Sequence, residues 1–222
     1  MKLVFTTGNK GKLAEAAEIL GPGFEICCPA DMGITEEIPE TGTTLRENSI
    51  QKASYIYERL HCDCFADDTG LEVDALGGAP GVYSARYASI AGQAGNDGLP
   101  GPATPGPISV TPGLAGSHDF EANIDRLLRE LEGVPYERRT ARFRCVVTLI
   151  LGGEMHFFEG RTEGHIALER SGSKGFGYDP VFVPDAFPEQ SFAELGPELK
   201  NSVSHRGQSL RALADWLKTR GT

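Results

Sequence analysis

Strand-like and helix-like spacings of apolar residues alternate along the chain, which predicts a mixed α/β fold. Lys2 to Thr6 is a short apolar run typical of a buried strand, and Lys10 to Leu20 repeats apolar residues at helical spacing. A longer helix is predicted from about Thr43 to Leu60, and Thr44 with Glu47 has the spacing of a capping box at its start.

The second half of the chain continues this alternation. Phe120 to Leu131 is amphipathic as a helix, and Thr140 to Leu151 has the strongest strand pattern in the protein. Glu154 to Glu159 is expected to pair with that strand as a hairpin, and a last helix is predicted from about His205 to Lys218. Shorter apolar runs predict further strands at Phe24 to Cys28, Cys64 to Ala66, Leu71 to Leu76, Arg161 to Leu168 and Val181 to Val183. Because no repeat or linker interrupts the pattern, we expect one domain over residues 1–222.

Composition and charge narrow the class of protein. The formal net charge of −10 argues against a broad basic surface for nucleic acid or anionic membranes. The N-terminus has no apolar signal segment and no stretch is long enough to span a membrane, so we expect a cytoplasmic protein. The five cysteines are an odd number, which fits reduced thiols. The stretch His61-Cys62-Asp63-Cys64 lacks the second Cys/His pair of a structural zinc site, so buried thiols are the preferred interpretation.

The loop from Thr6 to Lys12 is the first candidate for chemistry, because it joins the first strand to the first helix. Backbone N–H groups at a helix N-terminus bind phosphate, and the two lysines of this loop add positive charge. The spacing matches neither GxxxxGK[ST] nor GxGxxG, so a P-loop or a Rossmann dinucleotide site is not supported. A tight turn with two solvated lysines is the alternative.

Acidic residues form the second candidate: Glu40, Glu47 and the pair Asp67-Asp68, where we expect a strand to end and a turn to follow at Thr69-Gly70. Mg²⁺ takes few protein carboxylates and shares the phosphate oxygens of a substrate, so these acids could form a metal–nucleotide site. Neighbours on an extended chain point to opposite faces, so one aspartate of the pair is expected to face the site. A solvated acidic surface is the alternative.

Two further motifs could recognise a base. Glycines on both sides of Phe176 let the backbone approach a flat ligand on which the ring could stack, although this turn could instead fill a core pocket. Lys200, His205 and Arg206 lie near the start of the last helix. Cationic donors suit the 6-oxo acceptor of a purine rather than the 6-amino donor of adenine. A solvated helix start is the alternative for these three residues.

Taken together, six motifs in register resemble the XTP/dITP diphosphatase family, also called the inosine triphosphate pyrophosphatase family. They are TTGNKGK, ETG with ENSIQKA, ADDTGLEVDALGGAPGVYSARYA, ARFRC, GFGYDPVF and SHRGQ. The resemblance implies a two-lobed α/β fold on a long central mixed β-sheet flanked by helices, a homodimer and a Mg²⁺ requirement. It also implies hydrolysis of nonstandard purine nucleoside triphosphates (dITP, ITP, XTP) to the monophosphate and pyrophosphate. Residues 91–118, which hold seven glycines and five prolines, then become an insertion where relatives have a shorter connection.

The resemblance implies roles for individual residues. The catalytic and metal-binding aspartate falls on Asp68, which would orient or deprotonate the attacking water, with Lys52 as the second catalytic residue and Glu40 as the second Mg²⁺ ligand. Arg86 is a further candidate near the phosphates. The implied substrate-binding residues are Thr7, Gly8, Asn9, Lys10, Gly11, Lys12, Thr69, Phe176, Gly177, Tyr178, Asp179, Lys200, His205 and Arg206.

Two other functions stay open at this point. The first is a related nucleotide pyrophosphatase with another base preference, such as modified pyrimidines, which a panel of triphosphates would distinguish. The second is a regulatory nucleotide-binding module without catalysis, which release of pyrophosphate from dITP with Mg²⁺ would exclude.

Overall fold

The computed structural model describes residues 1–90 and 119–220, and the chain divides into two compact units. The first unit comprises Met1–Thr69, Arg144–Arg161 and Asn201–Thr222, and the second comprises Gly70–Phe143 and Thr162–Lys200. The glycine- and proline-rich tract at 91–118 lies outside the described residues. The interpretation of the chain as a single domain stays a prediction.

The described residues form a mixture of strands and helices, as the apolar spacing predicts. In chain order they are β1 (Lys2–Phe5), α1 (Lys10–Leu20), β2 (Glu25–Cys27), α2 (Leu45–Leu60), β3 (Cys64–Val73), β4 (Pro80–Gly81), α3 (Phe120–Glu130), β5 (Thr140–Leu151), β6 (Glu154–Ile166), β7 (Phe182–Pro184), α4 (Pro197–Val203) and α5 (His205–Arg220). The bounds of α1 and β5 are the predicted ones.

The sheet contains both parallel and antiparallel strand pairs. Its strand order is β2-β1-β3-β5-β6-β7, and β4 pairs with β3. β1 runs parallel to β2 and to β3, with Val4 opposite Cys64. β3 is antiparallel to β4, and β6 is antiparallel to β7. The predicted fold class, α/β with a mixed sheet flanked by helices, is confirmed.

In the first unit, apolar residues cover both faces of the sheet. Leu3 and Phe5 of β1 pack with Phe65 of β3 and with apolar residues of α1 and α5. Val4 and Ala66 point the other way and pack with residues of α2. Because successive strand residues point to opposite faces, the next two positions of β3 must diverge in the same manner. Those positions are Asp67 and Asp68.

The prediction of a turn after Asp68 is wrong. β3 runs unbroken from Cys64 to Val73, and beyond the aspartates its residue Leu71 pairs with Gly81 of β4. Asp, Thr and Gly favour turns locally, but here pairing with other strands keeps the backbone extended. β6 is likewise one strand where two shorter ones were expected, and α4 was not predicted.

The second unit has an aromatic core around Phe143, Phe182 and Phe192. The rings of Phe143 and Phe182 lie 4.7 Å apart between centroids, and those of Phe182 and Phe192 lie 5.0 Å apart.

Among the helices at 1–90 and 119–220, none is long and apolar enough to cross a membrane.

Candidate functional site

The loop between β1 and α1 presents backbone N–H groups at the start of a helix. Asn9 caps α1, because its Oδ1 accepts from the backbone N–H groups of Gly11 at 2.8 Å and Lys12 at 3.2 Å. The Asn9 N–H donates to Oγ1 of Thr7 at 3.1 Å, which tightens the loop further. Gly8, Asn9, Lys10 and Gly11 are exposed, and α1 has no acidic residue in its first turn. The helix dipole therefore favours an anion at this end.

Asp67 lies in a buried ion network in the first unit. Nζ of Lys12 contacts both carboxylate oxygens of Asp67 at 3.0 Å, and Nε of Arg206 contacts Oδ2 at 3.1 Å. Nη1 of Arg206 also donates to Oε2 of Glu15 at 3.1 Å. We call Lys12, Glu15, Asp67 and Arg206 the Asp67 cluster. It holds two cations and two carboxylates.

The charges of this cluster determine the pKa of Asp67. Burial alone would raise that pKa, because the side chain is almost completely removed from solvent. Lys12 and Arg206 outweigh burial and hold the pKa of Asp67 well below its usual range. Asp67 is therefore ionised at every pH at which the protein is expected to work.

Asp68 meets different partners, which come from α2 and from the segment before it. Nζ of Lys52 contacts Oδ1 of Asp68 at 3.0 Å and Oε1 of Glu40 at 2.7 Å. Nδ2 of Asn48 donates to Oδ2 of Asp68 at 3.2 Å. We call Glu40, Asn48, Lys52 and Asp68 the Asp68 cluster. It holds one cation and two carboxylates, so it carries one negative charge in excess.

This excess charge appears in the pKa directions of the Asp68 cluster. Burial raises the pKa of Asp68, Lys52 opposes this only in part, and Glu40 raises it further. For Lys52, burial alone would lower the pKa, but Asp68 and Glu40 outweigh burial and keep it above its ordinary value. Lys52 is thus a fixed cation, whereas Asp68 is a carboxylate whose charge is not fully compensated.

Glu47 has a structural role, although its charge made it a candidate. The predicted capping box is confirmed, since Glu47 N–H donates to Oγ1 of Thr44 and Oε2 of Glu47 accepts from the Thr44 N–H. Oε2 also accepts from the N–H and hydroxyl of Thr43. These hydrogen bonds lower the pKa of Glu47. They fix the entry to α2, which carries Asn48 and Lys52.

A second cluster of predicted residues lies in the second unit. Nζ of Lys200 contacts Oδ2 of Asp179 at 2.6 Å, and the same oxygen accepts from the Phe176 N–H at 2.8 Å. Nζ of Lys200 is also 5.0 Å from the centroid of the Phe176 ring, whose residue is 38% exposed. Gly175 has a φ of +80°, and a Cβ there would clash with the Asp179 carboxylate. We call Phe176, Asp179 and Lys200 the Phe176 cluster.

The remaining predicted residues have other surroundings. Tyr178 is buried, its hydroxyl donates to the carbonyl of Ser84 at 2.9 Å, and burial raises its pKa. Gly177 has a φ of +62°, which favours glycine in this turn. His205 is buried at the start of α5. Thr69 directs its hydroxyl at Oδ2 of Asp67, 3.5 Å away.

Glu15 and Asn48 are not among the site residues predicted from the sequence, although Asn48 lies within the motif ENSIQKA. Glu15 follows Lys12 by three residues on α1, and Asn48 precedes Lys52 by four residues on α2. Side chains at these spacings share a helix face, so both residues had a detectable signal once their partners were candidates.

Over residues 1–90 and 119–220, no group of three or more His, Cys, Asp or Glu side chains could hold a metal ion.

Comparison with known proteins gives consistent matches over nearly the whole chain. The model of the Ham1 family matches residues 3–102 and 97–216. A Porphyromonas gingivalis protein named dITP/XTP pyrophosphatase is 45% identical over 216 residues, which is 97% of each chain. A protein of the same name from Christiangramia forsetii is 43% identical over 217 residues, 98% of this chain and 99% of that one.

Solved structures agree with these sequence matches. The Ham1 protein of Staphylococcus aureus has a TM-score of 0.80 and 30% identity, covering 99% of this chain and 100% of that one. The nucleoside-triphosphatase, or dITP/XTP pyrophosphatase, of Mycobacterium abscessus has a TM-score of 0.70 and 38% identity, covering 96% of this chain and 98% of that one.

Proposed function

The chain belongs to the Ham1 family, and we propose that it hydrolyses the nonstandard purine triphosphates dITP, ITP and XTP to the nucleoside monophosphate and pyrophosphate. The names of its full-length relatives support this substrate class. The observation that carries the proposal is the Asp68 cluster, where a buried, incompletely compensated carboxylate shares one lysine with Glu40. Such a carboxylate suits work as a proton acceptor and as a cation ligand.

The phosphate groups are assigned to the loop before α1. Lys10 is exposed and the positive end of the α1 dipole lies at this loop, so both can attract phosphate oxygens, while the cap made by Asn9 keeps the loop in shape without substrate. Lys12 contacts Asp67, so its ammonium group has a fixed position from which to neutralise charge. Lys52 is a further fixed cation for the triphosphate.

In the proposed reaction, a water oxygen forms a bond to the α-phosphorus and the bond from that phosphorus to the α,β-bridging oxygen breaks. Pyrophosphate leaves, and the water gives up one proton. We assign to Asp68 the orientation of this water and the acceptance of the proton, and the rise of its pKa by burial supports this role. Asn48 and Lys52 hold the two carboxylate oxygens of Asp68.

Mg²⁺ is part of the proposal, and the donor set fits it. Asp68 and Glu40 offer hard oxygen ligands, and one oxygen of each lies within 3.0 Å of the same Lys52 ammonium group. Among the described residues, no third Asp, Glu, His or Cys joins these two carboxylates as a ligand. This small number of protein ligands suits Mg²⁺, which completes its coordination shell with water and substrate phosphates. When bound, Mg²⁺ would neutralise phosphate charge and polarise the phosphoryl oxygens.

Base recognition is assigned to the Phe176 cluster, together with Gly177 and Tyr178 of the same unit. The roles of His205 and Arg206 in base recognition stay predictions. An exposed ring with a lysine 5.0 Å from its centroid suits stacking on a base. Cationic donors favour a 6-oxo purine over adenine.

The homodimer and the cytoplasmic location stay predictions. Light scattering during size-exclusion chromatography tests the homodimer.

The experiment is a panel of dITP, ITP, XTP, ATP and dUTP with pyrophosphate release as the measurement, each with Mg²⁺ and with EDTA. We expect fast release from the three 6-oxo purine substrates, slow release from ATP and dUTP, and none with EDTA. Equal rates for ITP and ATP would contradict the base assignment. Release of orthophosphate in place of pyrophosphate would contradict the proposed reaction.

A further inference from the structure

We infer that Asn48 is a positioning residue, which fixes the carboxylate of Asp68 and also holds the chain segment that carries Glu40. The inference rests on the proposed function, because Asp68 and Glu40 are the groups that Asn48 places. Asn48 is fully buried. Buried polar groups in proteins nearly always have hydrogen-bond partners, so both ends of its amide are expected to be bonded.

Both ends of the Asn48 amide have defined partners. Its Oδ1 accepts from the backbone N–H of Gly42 at 2.8 Å, and its Nδ2 donates to Oδ2 of Asp68 at 3.2 Å. A backbone N–H can only donate and an ionised carboxylate can only accept, so these neighbours permit one orientation of the amide. Asn48 is therefore a rigid link between Gly42 and Asp68.

The segment before α2 is held by side chains of that helix. Four consecutive backbone N–H groups donate to side-chain oxygens of α2. Thr41 donates to Gln51 at 2.9 Å and Gly42 to Asn48 at 2.8 Å. Thr43 and Thr44 both donate to Glu47, at 2.7 and 3.1 Å. Of these three acceptors, Asn48 is the one that also contacts Asp68. Glu40 directly precedes this segment and reaches Lys52, so the segment determines where the Glu40 carboxylate lies.

Gly42 shows how closely the segment approaches the helix. A Cβ at this position would lie 2.6 Å from Cβ of Glu47 and 2.8 Å from Oδ1 of Asn48. The requirement for glycine here is one of space, which permits the hydrogen bond from the Gly42 N–H to Asn48. Replacing Gly42 by alanine would disturb the same link from the loop side.

The link restricts Asp68 at both oxygens. Lys52 binds Oδ1 and Asn48 binds Oδ2, and these two donors lie one turn apart on α2. Loss of the Asn48 donor would leave the carboxylate free to rotate about its single remaining contact on α2. Misalignment of a reacting group lowers the rate of the chemical step more than it weakens substrate binding.

The test is Asn48→Asp, which keeps the size and the acceptor for Gly42 but turns a carboxylate oxygen toward Asp68. For dITP with Mg²⁺ we expect kcat to fall by about 10- to 100-fold with KM changed by less than about threefold. Ser49→Ala is the matched control, because Ser49 is also fully buried but its hydroxyl contacts Thr148 at 2.7 Å. We expect this control to lower the melting temperature and to leave kcat unchanged.

A second readout does not depend on activity. In the metal-free parent we expect slow hydrogen exchange at the Gly42 amide by NMR, retained in Asn48→Asp and lost in Asn48→Ala. Fast exchange in the parent would overturn the inference, as would an unchanged kcat in Asn48→Asp. If that variant does not fold, Gly42→Ala replaces it, with the same fall in kcat expected and an unchanged kcat overturning the inference. A parent that releases no pyrophosphate would refute the proposed function, while the amide measurement would still test the link.

Discussion

Asp67 and Asp68 are neighbours on β3, but they belong to two regions with different charge balance. On one face of the strand, Asp67 meets Lys12 and Arg206, and the Asp67 cluster has as many cations as carboxylates. On the other face, Asp68 shares Lys52 with Glu40. The alternation of an extended strand thus gives two identical side chains opposite environments.

This difference separates a structural role from a chemical one. The pKa of Asp67 is lowered, so its side chain stays ionised and fixes Lys12 and Arg206 in place. Asp68 has a raised pKa, because burial and the nearby Glu40 carboxylate outweigh Lys52. Glu40 raises the pKa of Asp68 by repulsion between the two carboxylates, so a bound cation would lower the free energy of this region. The comparison therefore supports the Asp68 cluster as the reactive one.

The largest expected effect is on catalysis. Asp68→Asn should lower kcat by on the order of 10³-fold, because the proposed proton acceptor is lost. Since burial disfavours the ionised form of Asp68, the neutral amide should not lower the free energy of unfolding. Pyrophosphate release and urea unfolding measure the two quantities. Activity near that of the parent would remove Asp68 from the mechanism.

The next effect is on stability. Asp67→Asn removes the buried carboxylate that Lys12 and Arg206 share and leaves Arg206 paired with Glu15, so the free energy of unfolding should fall by about 3 kcal/mol. Urea unfolding of this variant, beside Asp68→Asn, measures the contrast. If Asp68→Asn were the more destabilised of the two, the division into a structural and a reactive region would be wrong.

A smaller effect concerns the metal. Glu40→Gln removes one of the two proposed ligands, so the Mg²⁺ concentration for half-maximal activity should rise by about tenfold, with saturating Mg²⁺ restoring part of the rate. Titration of pyrophosphate release with MgCl₂ gives this value. Glu37→Gln is the control for the loss of a nearby negative charge. An equal rise in both variants would argue against Glu40 as a ligand.

The smallest effect is the pH dependence of stability in metal-free protein. The folded-state pKa of Asp67 is lowered, so its contribution is present above its unfolded pKa of about 3.9 and is lost as pH falls through the folded value. The folded-state pKa of Asp68 is raised, so its ionisation destabilises the fold and this cost disappears as pH falls.

The two aspartates should therefore show opposite slopes. As pH falls, the parent should lose stability relative to Asp67→Asn and gain it relative to Asp68→Asn, by at most about 1.4 kcal/mol per pH unit for each proton. Urea unfolding between pH 3 and 7 checks this. Slopes of the same sign would refute the comparison.

Local sequence patterns predicted much of this fold. Apolar spacing identified α1 and β5 with their observed bounds, and the spacing of Thr44 and Glu47 identified the start of α2. These features depend on residues close together in the chain, so local spacing is sufficient to find them.

The sequence did not predict the contacts that decide the site. The local sequence predicts the end of a strand at Asp67-Asp68, because it does not reveal the cations that stabilise the pair, which lie on α1, α2 and α5. Which aspartate would face which helix depends on the packing of these helices. Local propensity carries no information about that packing. The roles of Phe176, Lys200 and the other predicted binding residues stay predictions.

The most direct test of the central claim is hydrolysis of dITP in H₂¹⁸O with Mg²⁺, followed by mass spectrometry of both products. Attack of water on the α-phosphorus predicts one ¹⁸O atom in dIMP and none in pyrophosphate. In Asp68→Asn the labelled product should be nearly absent, while folded Asp67→Asn should still label dIMP. Label in pyrophosphate, or undiminished labelling by Asp68→Asn, would contradict the assignment of this chemistry to the Asp68 cluster.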